Sequence, residues 1–249
     1  MFTSLSRFVN NAAGLEKTLR IAQSLLLINV SLSLAATGKS SWSLALSHIA
    51  VSRRFFRLLR WVDCWANAEA TFNDQKSNTL HRVVATAKWS LLGIYFFLEM
   101  FAITNVLGAT TYSWGRPLEI EANKFWVYGL GASIILSLVD LATLPSAPVP
   151  NKETVQALNE KGDKNKTTVP EKKEISASPG TNSQNLMKQL VIDTCDLATP
   201  GTLIGWIQID RAYVGAAMFV SSLLAATDIW RNVQAASVPQ RALATKGKK

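Results

Sequence analysis

Three apolar blocks of about bilayer length constrain the fold of this chain more than any other feature. They cover residues 89–109, 125–144 and 212–230. A transmembrane helix needs about 20 mainly apolar residues to cross the hydrocarbon core of a bilayer. Charged residues make up 17% of the chain, whereas soluble proteins average about 25%. The sequence therefore predicts an all-α membrane protein with amphipathic N-terminal helices, two or three hydrophobic membrane helices and no β-sheet.

Each apolar block carries one acid, which is Glu99, Asp140 or Asp228. An acid at the bilayer centre costs about 2.5–3.5 kcal/mol on insertion scales. Each Leu or Phe contributes about 0.3–0.6 kcal/mol in favour of insertion, so blocks this rich in apolar residues can still insert. The alternative is a soluble bundle of buried helices. Three apolar runs of this length in a chain with few charged residues make this alternative less favourable.

The composition divides the chain into five regions. Residues 1–88 form a basic amphipathic helical region, and 89–144 form a membrane-associated helical hairpin. Residues 145–185 are rich in Pro, Lys, Glu, Asn, Ser and Thr, which is typical of a disordered polar linker. Residues 186–230 contain the C-terminal helices with a membrane span, and 231–249 form a basic tail.

The distribution of positive charge predicts the sidedness of the chain. Residues 1–61 contain eight Lys or Arg and a single acid, Glu16, and the C-terminal tail is also basic. Basic flanks stay on the cytosolic side of a membrane, so both ends are expected there. An even number of spans follows. Two are the most economical, and the linker then lies in the lumen.

The most basic stretch, 51-VSRRFFRLLRWVDCW-65, lies within a predicted helix over 41–66, about 26 residues or roughly 39 Å long. At 100° per residue its apolar side chains fall on one face and its arginines on the other. Such a helix suits the boundary between headgroups and acyl chains of an anionic membrane. The predicted membrane-inserting face is Leu44, Val51, Phe55, Leu58, Leu59 and Val62, and the predicted lipid-binding face is Arg53, Arg54, Arg57 and Arg60.

Two alternatives to this assignment stay open. The helix could instead pack on a partner helix, with its arginines solvated. The shorter segment 78–92 is a second amphipathic candidate, with His81, Arg82 and Lys88 on its polar side. A nucleic-acid partner is not expected, because no zinc-ligand spacing or RNA-binding motif accompanies the basic stretch.

The sequence predicts a protein without enzymatic activity. The chain has two histidines, His48 and His81, which lie in different segments. No pattern of nucleophile and base, phosphate-binding loop or metal ligands accompanies them. We therefore expect no catalytic residues, no metal site and no cofactor.

Three segments, in this order along the chain, resemble the signature regions of the peroxisomal biogenesis factor 11 family. They are 14-GLEKTLRIAQ-23, 51-VSRRFFRLLRW-61 and 215-GAAMFVSSLLAATDIW-230. A second family glycine in the last segment is Met218 here, which predicts a looser helix approach. The matching positions are Gly14, Lys17, Arg20 and Gln23, then Ser52, Arg53, Arg54, Phe56 and Arg57, and finally Gly215, Ser221, Ser222 and Trp230.

The resemblance implies membrane remodelling in the peroxisomal membrane. Members of the family elongate that membrane through an amphipathic helix and promote peroxisome fission and proliferation. The implied partners are an anionic phospholipid membrane, further copies of the chain, and fission machinery made of a dynamin-type GTPase and its membrane adaptor. The alternative function is a pore for small metabolites, in which Glu99, Asp140 and Asp228 line an aqueous path.

Overall fold

The computed structural model describes residues 2–37, 41–75, 78–143 and 179–235. Within these ranges the chain forms eight α-helices and no β-strand, which confirms the predicted all-α fold class. The helices are α1 Phe2–Val9, α2 Ala12–Thr37, α3 Ser43–Phe55, α4 Arg60–Asn73, α5 Thr79–Val106, α6 Gly115–Thr143, α7 Pro179–Leu203 and α8 Arg211–Ala235.

Helix α2, near the start of the described chain, packs along α8, its last described helix. From there the bundle continues from α8 to α7, from α7 to α6, from α6 to α5 and from α5 to α4. Helix α3 contacts both α2 and α5. This order brings the N-terminal family motif next to the C-terminal one, although they lie at opposite ends of the sequence.

The contact between α2 and α8 is close at Gly215. A β-carbon at this position would lie 2.7 Å from Ile28 Cγ1 and 3.1 Å from the carbonyl oxygen of Ser24. Ser221 and Ser222 are fully buried in the same interface and donate hydrogen bonds to the carbonyl oxygen of Met218. A small residue therefore gives a tight helix approach at Gly215, and the looser packing expected from Met218 stays a prediction.

The apolar core lies between α4, α5 and α6 and is mainly aromatic. Its buried centre consists of Cys64, Tyr95, Phe96 and Ala122. Aromatic rings surround this centre, and Tyr95 stacks on Trp126 with 5.0 Å between ring centroids. The partly buried side chains packed against the centre are Trp61, Trp89, Leu92, Leu98, Phe125 and Trp126.

The single helix predicted over 41–66 is wrong, because the structure has two helices there. Helix α3 ends at Phe55, a turn covers 56–59, and α4 begins at Arg60. Backbone bonds between residues three apart, such as Arg57 N to Arg54 O at 3.1 Å, form the turn. No glycine or proline marks the break. It lies where the segment passes from the ion-paired Arg57 to Trp61, which packs against the aromatic core.

The helix boundaries also differ from the predicted regions. Asn78 caps α5 through a hydrogen bond from Leu80 N, so the amphipathic candidate 78–92 is the first half of α5 and is continuous with the apolar block. Helix α7 begins at Pro179, inside the predicted linker. The rest of that linker, 145–178, lies outside the described residues, as does most of the predicted tail, 236–249.

Four helices of the described chain are long and apolar enough to cross a membrane. Three of them, α5, α6 and α8, contain the predicted blocks. The fourth, Ala12–Ala36 in α2, was not counted as a span in the sequence prediction. It is interrupted by serines and an asparagine, yet its mean hydropathy of 1.5 equals that of Arg211–Ala235. Four spans would keep both chain ends on one side, as two would.

A leucine at Gly215 should destabilise the bundle, whereas a leucine at Gly131 should not. Overpacking a tight contact costs about 1–3 kcal/mol, and Gly215 faces the backbone of α2. A β-carbon at Gly131 would meet no heavy atom of another described helix within 4 Å. Both substitutions gain about 1 kcal/mol of helix propensity. The difference in stability between the two variants therefore reports the packing at Gly215. Thermal unfolding in detergent should give a clearly lower Tm for Gly215→Leu. Equal Tm values would contradict the close α2–α8 contact.

Candidate functional site

Four arginines converge inside the bundle from helices that are distant in sequence. We call Arg20, Arg53, Arg54 and Arg57 the arginine cluster. Arg20 lies on α2, Arg53 and Arg54 lie at the end of α3, and Arg57 lies in the turn that follows. Each of them lies within ion-pair distance of a carboxylate from another helix.

Arg53 binds the face of α2 that carries the N-terminal motif. Its Nη2 lies 2.9 Å and its Nε 3.3 Å from Glu16 Oε1, and its Nη1 donates to Gln23. Glu16, Arg20 and Gln23 are spaced by four and three residues, so they share one face of α2. Arg53 is 7% exposed. The second motif of the sequence is therefore fastened to the first by a buried ion pair.

Arg54 and Arg57 reach across to α5 and α6. Arg54 Nη2 lies 2.6 Å from Glu119 Oε1, and its Nε lies 3.8 Å from Glu99 Oε1. Arg57 Nη2 lies 2.8 Å from the same Glu99 oxygen, which also accepts a hydrogen bond of 3.1 Å from Tyr95. These pairs explain how Glu99 is accommodated in the middle of an apolar helix.

Arg20 makes a bidentate ion pair with Asp196 of α7. Its Nη1 donates to Oδ2 at 3.1 Å and its Nη2 to Oδ1 at 2.5 Å. Both residues are buried. Planar, two-point pairing of this kind fixes geometry as well as charge. It ties α2 to α7, so the arginine cluster connects α2, α3, α5, α6 and α7.

Arg53 and Arg57 stay charged because carboxylates oppose the effect of burial. Burial and the neighbouring Arg57 guanidinium lower the pKa of Arg53 to about 10, against the influence of Glu16. Burial acts on Arg57 in the same direction, but Glu99, Tyr95 and Glu16 together outweigh it and raise the pKa of Arg57 above its ordinary value. Both groups are therefore cationic at neutral pH.

The basic face predicted to bind lipid headgroups mostly points into the protein. Arg53, Arg54 and Arg57 pair with internal carboxylates, whereas Arg60 is exposed at the start of α4 and lies 5.4 Å from the centre of the Phe96 ring. The arrangement agrees with the alternative in which this segment packs on other helices, except that the arginines are ion-paired rather than solvated. Direct binding of lipid by these arginines stays a prediction.

The apolar face predicted to enter the membrane points outward. Leu44 is 66% exposed and Leu59 is 68% exposed. Phe55 and Val62 are also exposed, whereas Val51 and Leu58 are half-buried. The exposed phenylalanine of the turn, Phe56, adds to this surface. A helix with its charges inside and its large apolar side chains outside is the reverse of a soluble surface helix.

The remaining family positions hold the two chain ends together. Gly14 follows the turn after α1, where a β-carbon would collide with the carbonyl oxygen of Phe8. Phe8 packs against Trp230 of α8, with 5.6 Å between ring centroids. Lys17 lies 3.4 Å from Glu16. Gly14 and Trp230 therefore support packing, whereas Lys17 and Gln23 belong to the polar interior.

Sequence reasoning missed the carboxylates that pair with the arginine cluster. Glu16 lies four residues before Arg20 on the same helix face, but that spacing would have predicted the wrong pair, because Glu16 pairs with Arg53 and Arg20 with Asp196. Glu119 and Asp196 carry no comparable signal, because Asp196 pairs with a residue 176 positions away. Glu99 was noted in the sequence but was assigned to a possible pore rather than to an ion pair.

Comparison with known proteins gives a match along most of the chain. Residues 2–230 match the family described as Peroxisomal biogenesis factor 11 (PEX11). The chain is 23% identical over 235 residues to the Peroxisomal membrane protein PMP27 of Saccharomyces cerevisiae, and this alignment covers 92% of the chain and 94% of the relative. No solved structure matches the chain.

Breaking the Arg20–Asp196 pair should destabilise the protein strongly, and replacing both partners should restore much of the loss. Asp196→Asn leaves a buried guanidinium without its counter-charge, which costs about 3–5 kcal/mol. The combination of Arg20→Met with Asp196→Leu removes both charges and should be clearly more stable than Asp196→Asn. Denaturant unfolding in detergent measures these differences.

The control for this prediction is the exposed pair of Lys124 and Glu121, which lie 2.6 Å apart on α6. Glu121→Gln should cost less than about 1 kcal/mol, as exposed pairs do. If Asp196→Asn is no more destabilising than Glu121→Gln, the arginine cluster does not hold the bundle together.

Proposed function

We infer that this chain acts on the peroxisomal membrane, because it belongs to the peroxisomal biogenesis factor 11 family. The family predicted from three short motifs is thereby confirmed. The chain is a peroxisomal membrane protein that acts in peroxisome proliferation, as the family and the yeast relative indicate. The family is one of biogenesis factors rather than of known enzymes.

We propose that the chain elongates the membrane by inserting an apolar wedge into one leaflet. The wedge consists of Leu44, Phe55, Phe56, Leu59 and Val62, on α3, the following turn and α4. The observation that carries the proposal is the orientation of this segment. The wedge side chains are exposed, while Arg53, Arg54 and Arg57 are ion-paired inside the protein. Lipid is the solvent that suits such a surface.

The energy available to the wedge is sufficient for stable insertion. Full burial of a large apolar side chain contributes about 1.5–3 kcal/mol. The wedge residues are about half-exposed, so together they supply on the order of 5 kcal/mol on transfer from water to acyl chains. Insertion that expands one leaflet more than the other favours curvature. The turn at 56–59 presents α3 and α4 as a bent rather than a straight wedge.

We further propose that copies of the chain self-associate and that fission follows through a dynamin-type GTPase and its adaptor. These two points rest on the family resemblance, and none of the described contacts bears on them. In this proposal the chain bends and concentrates in the membrane, and the GTPase completes the division.

The pore hypothesis draws no support from the three acids that suggested it. Glu99 pairs with Arg57, and Asp228 Oδ1 lies 2.5 Å from Lys188 Nζ. Asp140 Oδ1 lies 3.4 Å from Nε2 of His81. Since each acid has a basic partner, none is left as a free carboxylate along a conducting path. Solute leak from the same vesicles used below tests this alternative.

Charging the wedge should abolish membrane tubulation by the full-length protein. An aspartate in the hydrocarbon region costs about 2.5–3.5 kcal/mol, so the combination of Phe55→Asp and Leu59→Asp opposes insertion. Electron microscopy of anionic liposomes carrying this variant should show at least about tenfold fewer tubules than the unaltered protein.

The matched control adds the same two charges to exposed polar positions of α3, as Ser47→Asp and Ser52→Asp. This control should tubulate liposomes as the unaltered protein does. Equal tubulation by the wedge variant and the control would rule out the wedge, and leak without tubulation would favour the pore.

Loss of the protein from its own cell should leave fewer and larger peroxisomes, because membrane elongation precedes division. A fluorescent fusion should label peroxisomes and restore their number, whereas a fusion carrying the two wedge substitutions should label them without restoring it. Microscopic counting of peroxisomes per cell measures this. A nuclear or diffuse cytosolic signal would contradict the proposed function.

A further inference from the structure

A wide cavity lies beside the arginine cluster, between α2, α4, α5, α6, α7 and α8. It has a volume of about 470 Å³, which falls within the range of about 300–1,000 Å³ typical of small-molecule sites. Two kinds of surface line it. One is cationic and includes Lys17, Arg60 and Lys88, and the other is apolar.

The ion pairs of the bundle leave positive charge at this cavity. Among its lining residues, Arg20 pairs with Asp196 and Arg53 with Glu16. Arg57 and Asp228 also line the cavity. Arg57 pairs with Glu99 and Asp228 pairs with Lys188, and neither of these partners lines the cavity. After these pairs, the cations Lys17, Arg60 and Lys88 face a single carboxylate, that of Asp193.

The three remaining cations are weakly compensated. Lys17 and Arg53 both lie near the Glu16 carboxylate. Lys17 Nζ is 3.4 Å from it, whereas Arg53 Nη2 is only 2.9 Å away. In the described part of the chain, no carboxylate lies within ion-pair distance of Arg60 or Lys88. Each of these cations lies over an aromatic ring instead. The Arg60 guanidinium is 5.4 Å from the centre of the Phe96 ring, and Lys88 Nζ is 5.3 Å from the centre of the Trp89 ring.

Among the described lining residues, Asp193 is the one carboxylate of the cavity that faces these three cations. Its carboxylate accepts hydrogen bonds from the neutral groups of Ser133 and Gln189. Burial raises the pKa of Asp193, although the bond from Ser133 acts in the opposite direction. The cavity therefore favours an anion over a cation.

Two arginine donors beside the cavity lack a hydrogen-bond partner in the described chain, and arginine is well suited to bind phosphate. Arg20 and Arg57 line the cavity, and the Nε–H of each is buried without a hydrogen-bond partner among the described residues. Arg20 as a whole is 5% exposed. A buried donor without an acceptor is unfavourable, and guanidinium groups match phosphate oxygens in both charge and geometry.

The apolar wall indicates that the ligand also carries a hydrocarbon part. Large uncharged side chains line the cavity opposite its charged groups, and inorganic phosphate alone would leave them uncovered. These side chains are Trp89, Leu92, Phe96, Trp126, Leu130 and Ile192.

We propose that this cavity binds a phosphate group attached to an apolar chain, with Lys17, Arg60 and Lys88 supplying the charge. An anionic membrane lipid and a soluble phosphate ester share this chemistry. The site is separate from the apolar wedge, so the proposal does not depend on membrane bending.

Titration calorimetry on the full-length protein in detergent tests the proposal with three probes. Dihexanoyl phosphatidic acid should bind, and dihexanoyl phosphatidylcholine, which has the same chains but no net charge, should bind at least about tenfold more weakly. Hexyl phosphate, a soluble ester with one short chain, distinguishes the two sources. If it binds as tightly as phosphatidic acid, the ligand is a soluble phosphate ester, and if it binds much more weakly, the ligand is a lipid.

Substitutions of the lining residues test whether phosphatidic acid binds in this cavity. Arg60→Gln combined with Lys88→Gln should weaken phosphatidic acid binding by about tenfold or more, because two charged donors are lost. Arg60→Lys combined with Lys88→Arg keeps both charges and should retain binding. Lys124→Gln, at a partly exposed position of α6 outside the cavity, should change nothing.

Two results would overturn the proposal. One is that the unaltered protein binds phosphatidic acid no better than phosphatidylcholine. The other is that the neutral double variant binds phosphatidic acid as tightly as the unaltered protein. If the double variant does not fold, Lys88→Gln alone replaces it, with an expected weakening of about threefold or more.

Discussion

Pairing between arginine and carboxylate inside the bundle is the interaction on which the rest of this structure depends. A single buried charge would cost several kcal/mol, and only a close partner of opposite sign makes its burial tolerable. Here Arg20, Arg53, Arg54 and Arg57 meet Asp196, Glu16, Glu119 and Glu99. These contacts connect five of the eight described helices and set the orientation of α3 in the bundle.

The orientation of α3 links the fold to the proposed function. With its arginines directed inward, the opposite face of the segment presents Leu44, Phe55, Leu59 and Val62 outward. A soluble protein would gain by reversing that arrangement, whereas a membrane protein gains by keeping it. The charges that made the segment look like a headgroup-binding helix instead fasten it to the bundle. In the proposed function, membrane contact rests on its apolar side chains.

The sequence predicted what depends on local pattern and missed what depends on distant pairing. Apolar runs of bilayer length located most of α5, α6 and α8. Spacing along α3 separated Arg53 and Arg54, which are ion-paired, from Leu44 and Phe55, which are exposed. The turn at 56–59 could not be predicted, because no glycine or proline breaks the pattern there. The partners of Arg54 and Arg57 lie 65 and 42 positions away, so no helical spacing relates them. In α2, serines and Asn29 concealed a run apolar enough to cross a membrane.

A charge exchange between Arg57 and Glu99 tests the central claim most directly. Arg57→Glu and Glu99→Arg should each reduce the number of peroxisomes restored in cells that lack the protein, because each places like charges together. The double variant restores an opposite pair at 2.8 Å separation and should recover a substantial part of the function. A double variant as defective as the worse single variant would contradict the account, since Arg57 would then act on something other than Glu99, such as a lipid headgroup.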